Sequence, residues 1–172
     1  EKKEVLNIDD IELLRKIARR TWGYFEDMVS ERDNFLPPDN YQEDPYKGIA
    51  HRTSPTNIGL LLASIVSARD LGYLGFFETC IWLDKVITTI EKMEKWEGHL
   101  YNWYNTSNLK VLRPAYVSTV DSGNYVGYLM VAAQAIEDIL NGSPIDIRLA
   151  LGIKDIINII NEELKDIENE RD

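Results

Sequence analysis

Two stretches of the chain gather the side chains that have chemistry to offer. The first, ERDNFLPPDNYQEDPYKGIAHRTSPTN, sets Asp39, Asn40, Gln42, Glu43, Asp44, His51, Arg52, Thr53, Ser54 and Asn57 around the stiff pair Pro37 and Pro38. The second, GHLYNWYNTSNLKVLRPAYVSTVDSGN, interleaves Tyr101, Trp103, Tyr104 and Tyr116 with Asn102, Asn105, Ser118, Thr119, Asp121, Ser122 and Asn124. Amides, hydroxyls, carboxylates and flat aromatic faces together suit a ligand that carries many hydroxyls and an apolar face on each ring, as a sugar does. Glycosidic bond chemistry runs on paired carboxylates, one giving a proton and the other acting as base or nucleophile. Asp39, Glu43, Asp44 and Asp121 are the loop carboxylates; Asp39, Glu43 and Asp121 are carried as weak catalytic candidates, because spacing alone does not say which of them face each other.

Each of these residues also has a plain structural reading. Trp103 and Tyr104 suit the anchoring of a long loop onto helix ends, Asp121 and Ser54 suit helix caps, and Arg52 suits an ion pair with Glu43 or Asp44. His51 and His99 are far apart in sequence and lack the spacing of metal ligands, so no metal site is expected. Cys80 stands in the apolar run FFETCIWL, where a small buried residue fits.

Helices must position the two stretches. Ile11, Leu14, Ile17, Thr21, Phe25 and Met28 recur at three and four, which predicts an amphipathic helix over about 9–30, opened by Asp9 or Asp10. Ser54 and Pro55 open a second helix that stops at Gly72. A third is predicted over about 76–97, stopping at Gly98, and a fourth from Asp121 and Ser122 to Gly142. Ser143 and Pro144 then open a last stretch with an apolar stripe of Ile153, Ile156, Ile160, Leu164 and Ile167, which Gly152 is expected to break. A short hairpin fits within Leu100–Val117. The fold class is therefore all-α, built from antiparallel helical hairpins. Residues 31–54 and 98–120 form long connections and the others are short, so both long loops must leave one end of the bundle, together with the N-termini of the second and fourth helices.

Composition narrows the function classes. With 172 residues, 44% hydrophobic and 28% charged, the chain can bury a core as a single helical domain. A formal net charge of -10 opposes attraction to phosphate backbones or anionic lipid, so no nucleic-acid partner is expected. No apolar run approaches the roughly 18 residues of a membrane span, and the charged start EKKEV lacks the apolar middle of a signal peptide. The start EKKEV and the polar end DIENERD are read as the boundaries of a piece of something longer.

The strings WGYFEDMV, LPPDNYQEDP, AHRTSPTNIGL, ARDLGYL, GHLYNWYNT and YVSTVDSGNYVGYL resemble the glucoamylase-like middle region of bacterial cyclic β-1,2-glucan synthases, over about residues 20–140. The resemblance implies an (α/α)6 barrel of which this chain supplies the opening part, a parent enzyme at the cytoplasmic side of a bacterial inner membrane, a β-glucan partner and no cofactor. It also implies that the catalytic carboxylates lie in the remainder of the parent polypeptide, leaving cleft contacts here. The residues carried over as substrate-binding candidates are Asp39, Asn40, Gln42, Glu43, His51, Arg52, Thr53, Trp103, Tyr104, Asp121, Ser122 and Asn124. The segment after about 141 shows no family string. The competing reading is a non-catalytic helical interaction module; on either reading, apolar faces left open by the missing helix pairs predict self-association.

Overall fold

In the computed structural model, which describes residues 6–144 and 146–169, helices dominate. The reading of the EKKEV start and of the final three residues lies outside those limits. Helix α1 (Ile8–Met28) is opened by Asn7, not by Asp9 or Asp10: the Asn7 side chain accepts from Asp10 N at 2.8 Å while Asp10 reaches back to Asn7 N, a reciprocal capping box. Helix α2 (Pro55–Leu71) starts as expected, with Ser54 Oγ accepting from Asn57 N and Pro55 in the first turn. Gly72 closes it at φ +86, a left-handed conformation open to glycine at no steric cost.

Helix α3 (Phe76–Lys92) ends earlier than the sequence suggested. The Lys95 ammonium donates to the carbonyls of Ile90, Glu91 and Met93, occupying acceptors that another helical turn would use. Gly98 is therefore no helix stop: with Glu97 it sits at positive φ and turns a hairpin in which Lys95–Trp96 pairs with His99–Leu100. Helix α4 (Thr119–Asn141) begins before Asp121, because Ser118 Oγ takes the Asp121 N–H and becomes the cap. Helix α5 (Arg148–Asn169) starts after Asp146, whose Oδ1 accepts from Arg148 N at 2.9 Å, and it runs unbroken through Gly152. That glycine is a packing residue: a Cβ there would lie 2.0 Å from Gly72 O, so α5 crosses the end of α2 with backbone against backbone.

Helix α2 is the centre of the assembly. Ile58, Leu61, Leu62, Ile65, Val66 and Ala68 are all buried on it, and it packs against α1, α3, α4 and α5. The α2–α4 seam pairs Thr56 with Asp121 and Gly59 with Tyr128 near the start, and Val66 and Arg69 line one cavity with Ala135 and Ile139 near the end. The two helices therefore run parallel, with their N-termini side by side. Cys80, expected inside, is exposed on α3, because Thr79, Leu83, Val86 and Ile90 form the face turned to the core.

The long connections occupy residues 29–54 and 93–118. The first carries a 3-10 turn (Glu31–Asp33) and a small hairpin of Tyr41–Gln42 with Gly48–Ile49. The hairpin expected within Leu100–Val117 is present over residues 103–112, where Leu112 N donates to Trp103 O and Asn105 N to Lys110 O, and Tyr104 bridges Val111. On its other edge Tyr104–Asn105 pairs antiparallel with Arg52–Thr53 of the first connection, a partner the sequence did not suggest.

Candidate functional site

The ladder between the connections settles where the loop residues meet. It puts Arg52 beside Trp103, with the guanidinium 4.9 Å from the indole centroid. Arg52 is held from its other side by Asp39, which accepts from Nε at 3.0 Å and from a terminal nitrogen at 2.7 Å, a two-pronged pairing. The partner is Asp39, not Glu43 or Asp44. Asp39 also accepts from Asn40 and, at 3.5 Å, from Asn57 in the first turn of α2.

The residue before Asn57 in that turn, Thr56, serves the opposite carboxylate. Thr56 Oγ1 donates to Asp121 Oδ1 at 2.8 Å and accepts from Asn124 Nδ2 at 3.3 Å. Asp39 and Asp121 thus flank the N-terminus of α2, where unpaired amides and the helix dipole favour negative charge. Asp39 is neutralised by a cation, whereas Asp121 is held by neutral donors. The second of these is Asn102, a buried residue whose amide has one orientation that satisfies every neighbour. In it, Nδ2 donates to Asp121 Oδ2 at 3.0 Å while Oδ1 accepts from Trp103 Nε1 at 2.7 Å and Tyr116 OH at 2.8 Å.

A second network sits beneath the ladder. Asp33 is only 3% exposed and accepts from His51 Nδ1 at 2.8 Å, from Thr106 Oγ1 and from Ser107 Oγ at 3.3 Å. Burial alone would push this carboxyl up; the hydrogen bonds from Thr106 and His51, with the His51 charge and Ser107, outweigh it and hold it below the ordinary carboxylate range. Asn34 adds donations to the Thr106 and Ser107 carbonyls, so the turn at Glu31–Asp33 is stitched to the second connection.

The predicted site residues divide accordingly. Asp39, Asn40, Arg52, Trp103, Asp121 and Asn124 come together over the first turn of α2. Thr53 and Tyr104 are fully buried in the ladder, and the Tyr104 hydroxyl donates to Glu94 O at 2.6 Å while accepting from Tyr101 N; both residues anchor the loops and are withdrawn from the surface. His51 is committed to Asp33. Gln42 and Glu43 stand on the Tyr41–Ile49 hairpin, with Glu43 exposed and lining a groove with Tyr24, Tyr41 and Ile156. Ser122 faces a separate cavity with Pro55, His99 and Tyr125. Asn102, Thr56 and Asn57 do the connecting work and were not among the candidates. Asn102 and Asn57 stood in the loop strings, but no sequence signal separates a buried amide that bridges two loops from a solvated one.

The comparisons bear on the whole arrangement. No protein-family model matches the chain. It is 46% identical over 168 residues, 97% of its length, to the cyclic β-(1,2)-glucan synthase NdvB of Rhizobium meliloti, of which it spans 6%. A match of that extent continues well past residue 141, so the segment in which no family string was read belongs to the resemblance too. Among solved structures, a glucoamylase-like protein from Bacteroides fragilis superposes with TM-score 0.60 at 19% identity, covering 81% of this chain and 37% of that one. An endo-β-1,2-glucanase from Chitinophaga pinensis, in complex with sophorotriose and glucose, superposes with TM-score 0.59 at 16% identity over 78% of this chain and 36% of that one. The chain is accordingly similar, along nearly its whole length, to a segment of a bacterial cyclic β-(1,2)-glucan synthase, and it carries part of the glucoamylase-like (α/α)6 fold.

Proposed function

We propose that this chain forms the opening helical hairpins of an (α/α)6 domain that processes β-1,2-glucan, and that the floor over α2 is one wall of its glucan cleft. The observation that carries the reading is the Asp39–Arg52–Trp103 assembly, set beside Asp121 and Asn124 at two helix N-termini. A guanidinium fixed by a carboxylate presents directed donors, the indole offers an apolar face, and the carboxylate and amides accept and donate to sugar hydroxyls. The 46% identity to a cyclic β-(1,2)-glucan synthase supports the choice of glucan. In the parent enzyme the domain acts by transglycosylation that closes the glucan ring, or by a related hydrolysis, at the cytoplasmic side of the bacterial inner membrane. Asp39 serves Arg52 and Asp121 serves the bound sugar, while the reacting carboxylates come from the remainder of the parent polypeptide. Among the described residues no helix is long and apolar enough to cross a membrane.

Calorimetric titration of linear β-1,2-glucan into the wild-type chain and into Trp103→Ala and Arg52→Ala tests the cleft. Each substitution is expected to weaken binding about tenfold, the effect of losing one stacked ring or one charge-assisted hydrogen bond. Equal binding by all three proteins removes this wall from the cleft. An absence of binding throughout, together with association through the exposed helix faces, favours the non-catalytic interaction module.

A further inference from the structure

We propose that Asn102 is a positioning residue of this cleft, coupling Trp103 on the second connection to Asp121 on α4. The proposal rests on the glucan-cleft reading for its ligand but has a readout of its own. Trp103 and Asp121 belong to different elements, and among the described residues the only side chain that hydrogen-bonds to both is Asn102, 6% exposed, at 2.7 and 3.0 Å. Its amide accepts and donates at once: Oδ1 takes the indole and phenol protons while Nδ2 feeds Asp121. Asp121 is filled on Oδ1 by Thr56, so the Asn102 amide sets how Oδ2 is presented. The Arg52 guanidinium already lies over one face of the Trp103 ring, and the indole N–H bond to Asn102 fixes the rotation of the ring within that stack. A carboxylate and an aromatic plane held at one mutual angle are what a sugar ring with an equatorial hydroxyl needs, and a buried amide bridging the two supplies that angle without movement on binding.

Exchanging donor and acceptor tests this. Asn102→Asp places a carboxylate against Asp121, and the two can be reconciled only by a shared proton. The charged or titratable groups around the pair are Tyr116 on the same connection and, across the indole, Arg52 with Asp39; the first turn of α2 brings only neutral Thr56. The Trp103 indole 1H–15N resonance, assigned with Trp103→Phe, is followed against pH alongside titration with linear β-1,2-glucan. In Asn102→Asp we expect the resonance to shift at neutral pH and glucan to bind at least about tenfold more weakly. Both return toward wild type as the pH falls and the shared proton enters. The exchanged pair Asn102→Asp with Asp121→Asn restores a donor facing an acceptor and with it the wild-type resonance at neutral pH, and it carries the test where the single variant does not fold. A resonance and affinity unmoved in Asn102→Asp, or an exchanged pair displaced as far as the single variant, overturns the role of Asn102. If wild type binds no glucan while the resonance behaves as stated, the cleft reading fails and the positioning role stands.

Discussion

Asp33 shows how much of the working end depends on one buried carboxylate. It gathers donors from both connections, so its loss strands the Thr106 and Ser107 hydroxyls and the His51 ring together. Asp33→Ala is expected to cost about 1–3 kcal/mol in urea unfolding, since the fully buried Thr106 hydroxyl left without an acceptor carries its full desolvation penalty. The pH dependence has a fixed sign. A carboxyl held below its unfolded value contributes stability that is present above that value, about 3.9 for aspartate, and is lost as the pH falls through the folded one. The gap between wild type and Asp33→Asn should therefore be full at pH 6 and narrow toward pH 3; a gap of constant size would show that the charge of Asp33 contributes nothing. None of this was legible beforehand, because Asp33 sits in a run of charged residues (ERD) that reads as solvated surface, and its burial depends on a segment far along the chain.

At the scale of elements, the parallel α2–α4 seam sets the distance between the two helix N-termini and so the width of the floor. Its close point is Gly59, where a Cβ would lie 2.4 Å from the Tyr128 ring and 3.0 Å from its Cβ. Gly59→Ala is expected to destabilise by about 1–3 kcal/mol through overpacking. Gly127→Ala, in α4 with nothing within 4 Å, should instead be neutral or stabilising by up to about 1 kcal/mol, because alanine loses less backbone entropy in a helix. Urea midpoints for the two variants check the contrast. The helices and the shared pole of the long connections were readable from apolar spacing and from Ser54, Pro55 and Gly72. The exact ends were not: Asn7, Ser118 and Lys95 each cap through a side chain that has an equally good use in solvent. The ladder between Arg52–Thr53 and Tyr104–Asn105 was hidden for another reason, since two-residue strands carry no period to detect.

On the scale of the molecule, α5 is joined to α1 mainly by charge. Arg15 pairs with Asp155, Lys16 with Glu162, Arg20 with Glu163 and Lys154 with Glu12. The apolar residues Ile153, Ile156, Ile160, Leu164 and Ile167 remain exposed, as do Ile8, Leu14 and Ile17 on α1. Surfaces of that kind associate in water. Sedimentation is expected to show reversible self-association between micromolar and millimolar concentration, shifted toward monomer by Ile160→Glu with Leu164→Glu; a clean monomer across the range would mean these faces need no cover. The Arg52–Asn105 pairing has a temporal side as well. A ribosome releases the first connection long before its partner strand is made, so the floor over α2 stays unassembled until the second connection and the start of α4 have emerged.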